Sequence, residues 1–188
     1  MSSNIVSVTQ SLAKLIYNAI QEDGELKKTI FNKEQISLHA PNEAEKPSQI
    51  SVFLYYVSEE TTLRNQPQIP NQPRTLLHLN LHYLITPLTH DAKTDQLVLG
   101  KILRLFAEKP ILRNSDFQGG LSGSETELKI TLDQQTMEDI NNLWTILSTQ
   151  YKLSVCYTVT PIELKSDDKS ISIKNTTLTA KTKKEKSA

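Results

Sequence analysis

Two apolar, strand-forming runs joined by a long connector with three prolines and no glycine constrain this chain most. Residues 50–57, Ile50-Ser-Val-Phe-Leu-Tyr-Tyr-Val57, are β-branched or aromatic at most positions. Such side chains fit a pleated surface better than a helix. The run is apolar on both faces, so the expected element is a central strand covered on both sides. Residues 76–85 alternate instead. Leu77, Leu79, Leu81, Tyr83 and Ile85 share one face, and His78, Asn80 and His82 share the other. The apolar side is expected to face the core. The connector, residues 58–75, holds Pro67, Pro70 and Pro73 at every third position. A loop of that length in a compact domain is usually functional or disordered, and prolines at this spacing favour a stiff, extended backbone.

Helices fall on either side of this pair. Ile5, Val8, Leu12, Leu15, Ile16 and Ala19 recur at three- and four-residue spacing, which makes one apolar stripe. Residues 26–31 read ambiguously, with a short helical turn as one solution. Residues 35–38 read as a short strand, and residues 39–49, with Pro41 and Pro47, as a surface loop. Residues 91–108 carry Leu97, Val98, Ile102, Leu105 and Phe106 at helical spacing, and Pro110 ends them. Gly100 in that helix costs about 1 kcal/mol relative to alanine. Close packing on the sheet is the expected reason for it. Residues 117–125 hold three of the five glycines and read as a mobile loop or hairpin tip. Residues 127–132 read as a strand. Thr136-Met-Glu-Asp139 resembles a capping box with aspartate in place of the usual Glu or Gln. The helix behind it presents Ile140, Leu143, Trp144 and Leu147 on one face, with Trp144 expected in the core. Residues 153–164 form the last strand. The order predicts an α/β (α+β) fold: a mixed sheet with helices packed on it.

Composition narrows the function classes. The chain of 188 residues has 21 basic and 21 acidic residues. A dedicated nucleic-acid binder needs a positive surface, so none is expected. No stretch of 18 apolar residues exists, and the first residues carry no secretion signal, so neither a membrane partner nor export by a leader is expected. Cys156 is the single cysteine, which fits synthesis in a reducing compartment. It lies in the run Val155-Cys-Tyr-Thr-Val159 and reads as buried filler. Composition shifts at Lys165. The expected division is a folded domain over 1–164 and a basic polar tail over 165–188. The tail carries net charge +4 and the body −4, from 14 basic and 18 acidic residues. On its own the tail is expected to be disordered, ordered only by a partner.

No catalytic, cofactor or metal motif is found. His78 and His82 lie four apart on a strand, about 13 Å from one another, too far to share a metal ion. The Gly119-Gly120-Leu-Ser122-Gly123 loop lacks the lysine of a phosphate-binding loop. Two readings of the connector remain open. It is either a crossover packed on its own sheet or a contact arm, in which Arg64, Asn65, Gln66 and Gln72 offer hydrogen bonds to a partner. The tail is open too. Ser170-Ile171-Ser-Ile173-Lys174 alternates apolar and polar residues, a short strand. It fits an edge of the chain's own sheet, β-augmentation of a partner or a neighbouring copy, or simple disorder.

Phe53-Leu-Tyr-Tyr-Val57, Leu63-Arg-Asn-Gln-Pro67 and Leu79-Asn-Leu-His-Tyr83-Leu-Ile-Thr86-Pro87 occur in order. Leu99-Gly100, Leu128-Lys-Ile-Thr-Leu132, Leu143-Trp144 and Tyr151-Lys-Leu-Ser154-Val155-Cys-Tyr157 follow. In that order and spacing the chain resembles the tube-terminating cap proteins of extracellular contractile injection systems, of the antifeeding-prophage and virulence-cassette type. The resemblance spans residues 5–164. It implies a phage tail-terminator-like fold and a non-enzymatic structural cap without cofactors. It implies a homo-hexameric ring on the distal end of the inner tube that stops tube growth and touches the terminal sheath layer. The partners implied are further copies of the chain, the tube protein and the sheath protein. Such a subunit is made in the cytoplasm and joins a particle that is released. On this reading Arg64, Asn65, Gln66 and Gln72 face the tube or a neighbouring copy, and Ile171, Ile173 and Lys174 of the tail reach the sheath. A tail terminator or completion protein of an ordinary contractile phage is the alternative, and an unrelated small-molecule-binding domain is the remote one.

Overall fold

A computed structural model describes residues 3–63, 75–122 and 126–165. Six strands form one mixed sheet: β1 (Ile36–Ser37), β2 (Ile50–Glu59), β3 (Thr75–Pro87), β4 (Ile111–Leu112), β5 (Leu128–Asp133) and β6 (Val155–Lys165). Their order across the sheet is β1-β2-β3-β6-β5-β4. Only β1 and β2 run parallel; every other pair is antiparallel. The helices are α1 (Ser3–Gln21), α2 (Leu26–Thr29), α3 (Ala92–Glu108) and α4 (Met137–Ile146). The α+β architecture is therefore the expected one.

The apolar stripe of α1 (Val8, Leu12, Ile16, Ile20) and that of α3 (Val98, Ile102, Phe106) bury one face of the sheet. Leu81, Tyr83 and Ile85 of β3, with Val52 of β2 and Val159 of β6, meet them there with no exposure. Tyr83 keeps its hydroxyl satisfied inside this core through Thr9 Oγ1 at 2.8 Å. A second, smaller cluster lies on the opposite face. Ala40, Leu84, Trp144, Leu147 and Cys156 form it, with Phe53, Tyr55, Ile140 and Leu143 at its margin. Trp144 and Cys156 are thus core residues. The first half of β2 is covered on both sides as the sequence suggested, but the second half is not: Tyr56 and Val57 are exposed.

The capping box forms with aspartate. Thr136 N–H donates to Asp139 Oδ2 at 3.1 Å, and Asp139 N–H donates to Thr136 Oγ1 at 3.2 Å. The Thr136 hydroxyl bond, then its N–H, hold the Asp139 carboxyl below the usual carboxylate range.

Two glycine expectations are corrected. Residues 117–122 are no loose tip. They make a 3-10 turn over Gly119–Leu121, with Phe117 and Leu121 buried. Two serines of α1 hold it. Ser11 Oγ accepts from Gln118 N–H at 2.8 Å, and Ser7 Oγ from Gly120 N–H at 3.1 Å. Gly119 has φ +60°, and a Cβ there would stand 2.8 Å from Ser7 Oγ. Glycine is required by backbone and space together. Gly100 is the reverse case. It is exposed on α3, and a Cβ would meet nothing within 4 Å. Close packing does not explain it. Gly100→Ala is expected to stabilise the fold by about 0.5–1 kcal/mol, read from the urea midpoint. A lowered midpoint would show that α3 needs bare backbone there.

The strand β6 contains Pro161, which has no N–H for the ladder. The β3–β6 register shifts opposite it, between Leu79 and Leu81. The β2–β3 register shifts between Leu54 and Tyr56. Such extra residues bend a strand and re-aim side chains. Here the shift directs Tyr55 and Tyr56 to the same face.

Candidate protein interface

On the sheet face away from α1 and α3, the covering ends beyond Leu84. From there the alternate residues of β3 are His82, Asn80 and His78, all half-buried. Their cross-strand partners are Tyr56 and Ser58 on β2 and Thr158 and Glu163 on β6, and Thr160 of β6 reaches Asn80 by a hydrogen bond. His82 is the hub. Its Nε2 lies 3.0 Å from Ser58 Oγ, and its Nδ1 lies 3.1 Å from Thr158 Oγ1 and 3.5 Å from Asp133 Oδ2. Thr158 Oγ1 donates to the same carboxylate at 3.3 Å. The rings of Tyr56 and Tyr55 stand 5.1 and 6.2 Å from the imidazole. Asn80 bridges outward, donating to Glu60 Oε2 at 3.2 Å and accepting from the Thr160 hydroxyl. Glu60 also accepts from Thr62 N–H at 3.1 Å and from the Thr62 hydroxyl. The Thr62 hydroxyl, then Asn80, then the Thr62 N–H hold the Glu60 carboxyl below its usual range. These bonds tie the root of the proline connector to the centre of the sheet.

Ser58, His82 and Asp133 stand in the order of a nucleophile, a base and an orienting acid. Thr158 is nearer to Nδ1 than Asp133 is, so the acid does not alone orient the ring. The large groove lies elsewhere, beside α4. Cys156 is no nucleophile either. Burial first, and the Asp133 charge second, push its thiol up to about 11, so it stays protonated near neutrality. Among the described residues no cluster of three His, Cys, Asp or Glu could hold a metal ion. None of their helices is long and apolar enough to cross a membrane. The polar face carries hydroxyls, the Asn80 amide and two tyrosine rings.

A partly apolar groove flanks α4. Met137, Ile140, Trp144 and Tyr151 line an open groove of ≈ 770 Å³. Met137 is 77% exposed and Tyr151 56%. Trp144 and Tyr151 meet edge to face at 5.7 Å. The Trp144 indole N–H is buried without a hydrogen-bond partner.

The contact residues expected from sequence, Arg64, Asn65, Gln66 and Gln72 on the connector and Ile171, Ile173 and Lys174 on the tail, lie outside the described residues. Sequence reasoning saw a polar side to β3 but missed its partners. Thr158 and Thr160 alternate with apolar residues in β6, which was the available signal. Ser58 and Asp133 carried none.

The sequence model of one family, described as the Pvc16 N-terminal domain, matches residues 7–174. The chain belongs to this family. Two cryo-EM structures share the architecture. One is the PVC sheath/tube terminator of an extracellular contractile injection system in its extended state. It is 18% identical, with a TM-score of 0.60, over 95% of this chain and 64% of that one. The other is the tube-terminating cap of the anti-feeding prophage. It is 19% identical, with a TM-score of 0.57, over 85% of this chain and 55% of that one. The chain therefore spans less than two thirds of the length of either structure. No curated protein matches it.

Proposed function

We propose that the chain is a non-enzymatic cap subunit of a contractile injection system. Six copies close into a ring on the distal end of the inner tube, stop its growth and contact the last sheath layer. The subunit is made in the cytoplasm and leaves the cell only as part of the particle. The observation that carries this reading is the fold shared with the sheath/tube terminator along nearly the whole chain. The chemistry agrees with it. A terminator needs complementary protein surfaces and no cofactor. The polar sheet face and the α4 groove are surfaces of that kind. They sit at different places on one subunit, and heterologous contacts between distinct patches close into rings when the rotation allows.

The proline connector is proposed as the tube-facing arm, with Arg64, Asn65, Gln66 and Gln72 as its contacts. Its root is fixed by Glu60, Thr62 and Asn80, so it leaves the sheet from a rigid base. Native mass spectrometry of the chain with purified tube rings tests both ideas. Six copies per tube end are expected for the wild type. Arg64→Ala is expected to stay folded yet dock more weakly. Monomers alone, with and without tube, would refute the ring. An Arg64→Ala variant that unfolds would make that residue structural instead.

A further inference from the structure

The β2 edge beyond Ser51 has no paired strand among the described residues. On the side away from β3, β1 pairs with β2 at Ile50 and Ser51 and no further. The chain then leaves the sheet. Ser51 Oγ donates to the His39 carbonyl at 2.7 Å, and Asn42 donates to the Leu147 carbonyl beside α4 at 3.0 Å. Among the described residues no strand pairs with that edge after Ser51. The unpaired stretch carries Leu54, Tyr56 and Val57, the last two 57% and 39% exposed. Such an edge is a template for another strand.

The family match runs to Lys174, nine residues past the end of β6 at Lys165. The strand-like Ser170-Ile171-Ser-Ile173-Lys174 therefore falls inside the family domain. Reach decides which copy of the edge it can use. Lys165 pairs with Thr75, whereas Ser58 lies opposite Asn80. The path from Lys165 to the chain's own edge beside Ser58 runs about 17 Å along the sheet and about 14 Å across three strand spacings, or about 22 Å directly. Five fully extended Cα steps from Lys165 to Ser170 cover at most about 18 Å. The segment is too short to fold back on its own edge at that register.

We propose that residues 170–174 of one copy add as a strand to the β2 edge of a second copy. Ile171 and Ile173 lie beside Leu54 and Val57, and Ser170, Ser172 and Lys174 lie on the tyrosine side. Donor and acceptor are different parts of the subunit, so the exchange passes from copy to copy. It also covers an edge that would otherwise recruit further strands.

Hydrogen exchange of the isolated full chain at low and high concentration tests this without tube or sheath. Amides of residues 53–58 are expected to slow at least about tenfold at high concentration. Ile171→Pro is expected to abolish the slowing, because proline removes a ladder donor. Ile171→Asp is the second variant and should act alike. Protection that does not change with concentration would place the strand on its own sheet and overturn the proposal. Protection that appears only with sheath protein, or that survives in both variants, would overturn it too. The ring reading fails by a different measurement: a tube end that recruits no six copies leaves exchange between copies intact.

Discussion

Trp144→Ala is expected to lower the unfolding free energy by about 3–5 kcal/mol, towards the lower end of that range. The indole is 3% exposed and is the largest side chain in the smaller of the two clusters. That cluster packs α4 onto the sheet at Leu84 and Cys156. Its loss therefore releases a whole element. The adjoining groove admits water into the space left, which softens the cost of an empty cavity. Trp144→Phe separates packing from polarity. The buried N–H has no acceptor, so removing it relieves a desolvation cost of about 1–3 kcal/mol that offsets the smaller ring. Phenylalanine is expected within about 1 kcal/mol of wild type. Guanidinium unfolding of the three proteins gives both numbers. If alanine changes the midpoint by less than phenylalanine does, Trp144 is no keystone of α4, and its place beside Met137 and Tyr151 marks an interface anchor.

The legible parts of the fold were those whose own periodicity is long enough to count. The stripe of α1 repeats six times, and β3 alternates over ten residues, so both faces were readable without a partner. The strands β1 and β4 have two residues each, too few for any period, and exist only because β2 and β5 offer them hydrogen bonds. The error at Gly119 has a different source. Glycine was read as freedom, whereas the turn is fixed by Ser7 and Ser11, four apart on α1 and both buried. Two serines amid an apolar stripe were the sign that something polar docks there. The hub at His82 was not legible, because Ser58, Thr158 and Asp133 come from three other strands and meet only once the registers are set. Register is a property of pairs, and one strand's sequence does not contain it. The contact residues expected on the connector and tail lie outside the described residues, and the experiments above bear on them directly.

Deleting the gene is expected to leave particles whose tube and sheath lengths scatter widely, instead of clustering at one value. The argument is kinetic. A growing tube end presents the same ring of docking sites after each addition, so growth continues until the site is covered or subunits run out. A cap bound at that end removes the template, provided its own outer surface presents no equivalent site. The chain has features suited to both halves of that requirement. Its polar sheet face, with Glu60 held by Thr62 and Asn80 at the connector's root, is proposed as one docking surface. The β2 edge beyond Ser51, unpaired among the described residues, is the place where a neighbour's strand is proposed to close the assembly. Lengths measured by electron microscopy in the deletion strain and in one restored with the wild-type gene decide the matter. A narrow, unchanged length distribution without the gene would remove termination from this chain's role. Restoration by an Ile171→Pro variant with normal lengths would keep the cap and discard the exchanged strand as its closing device.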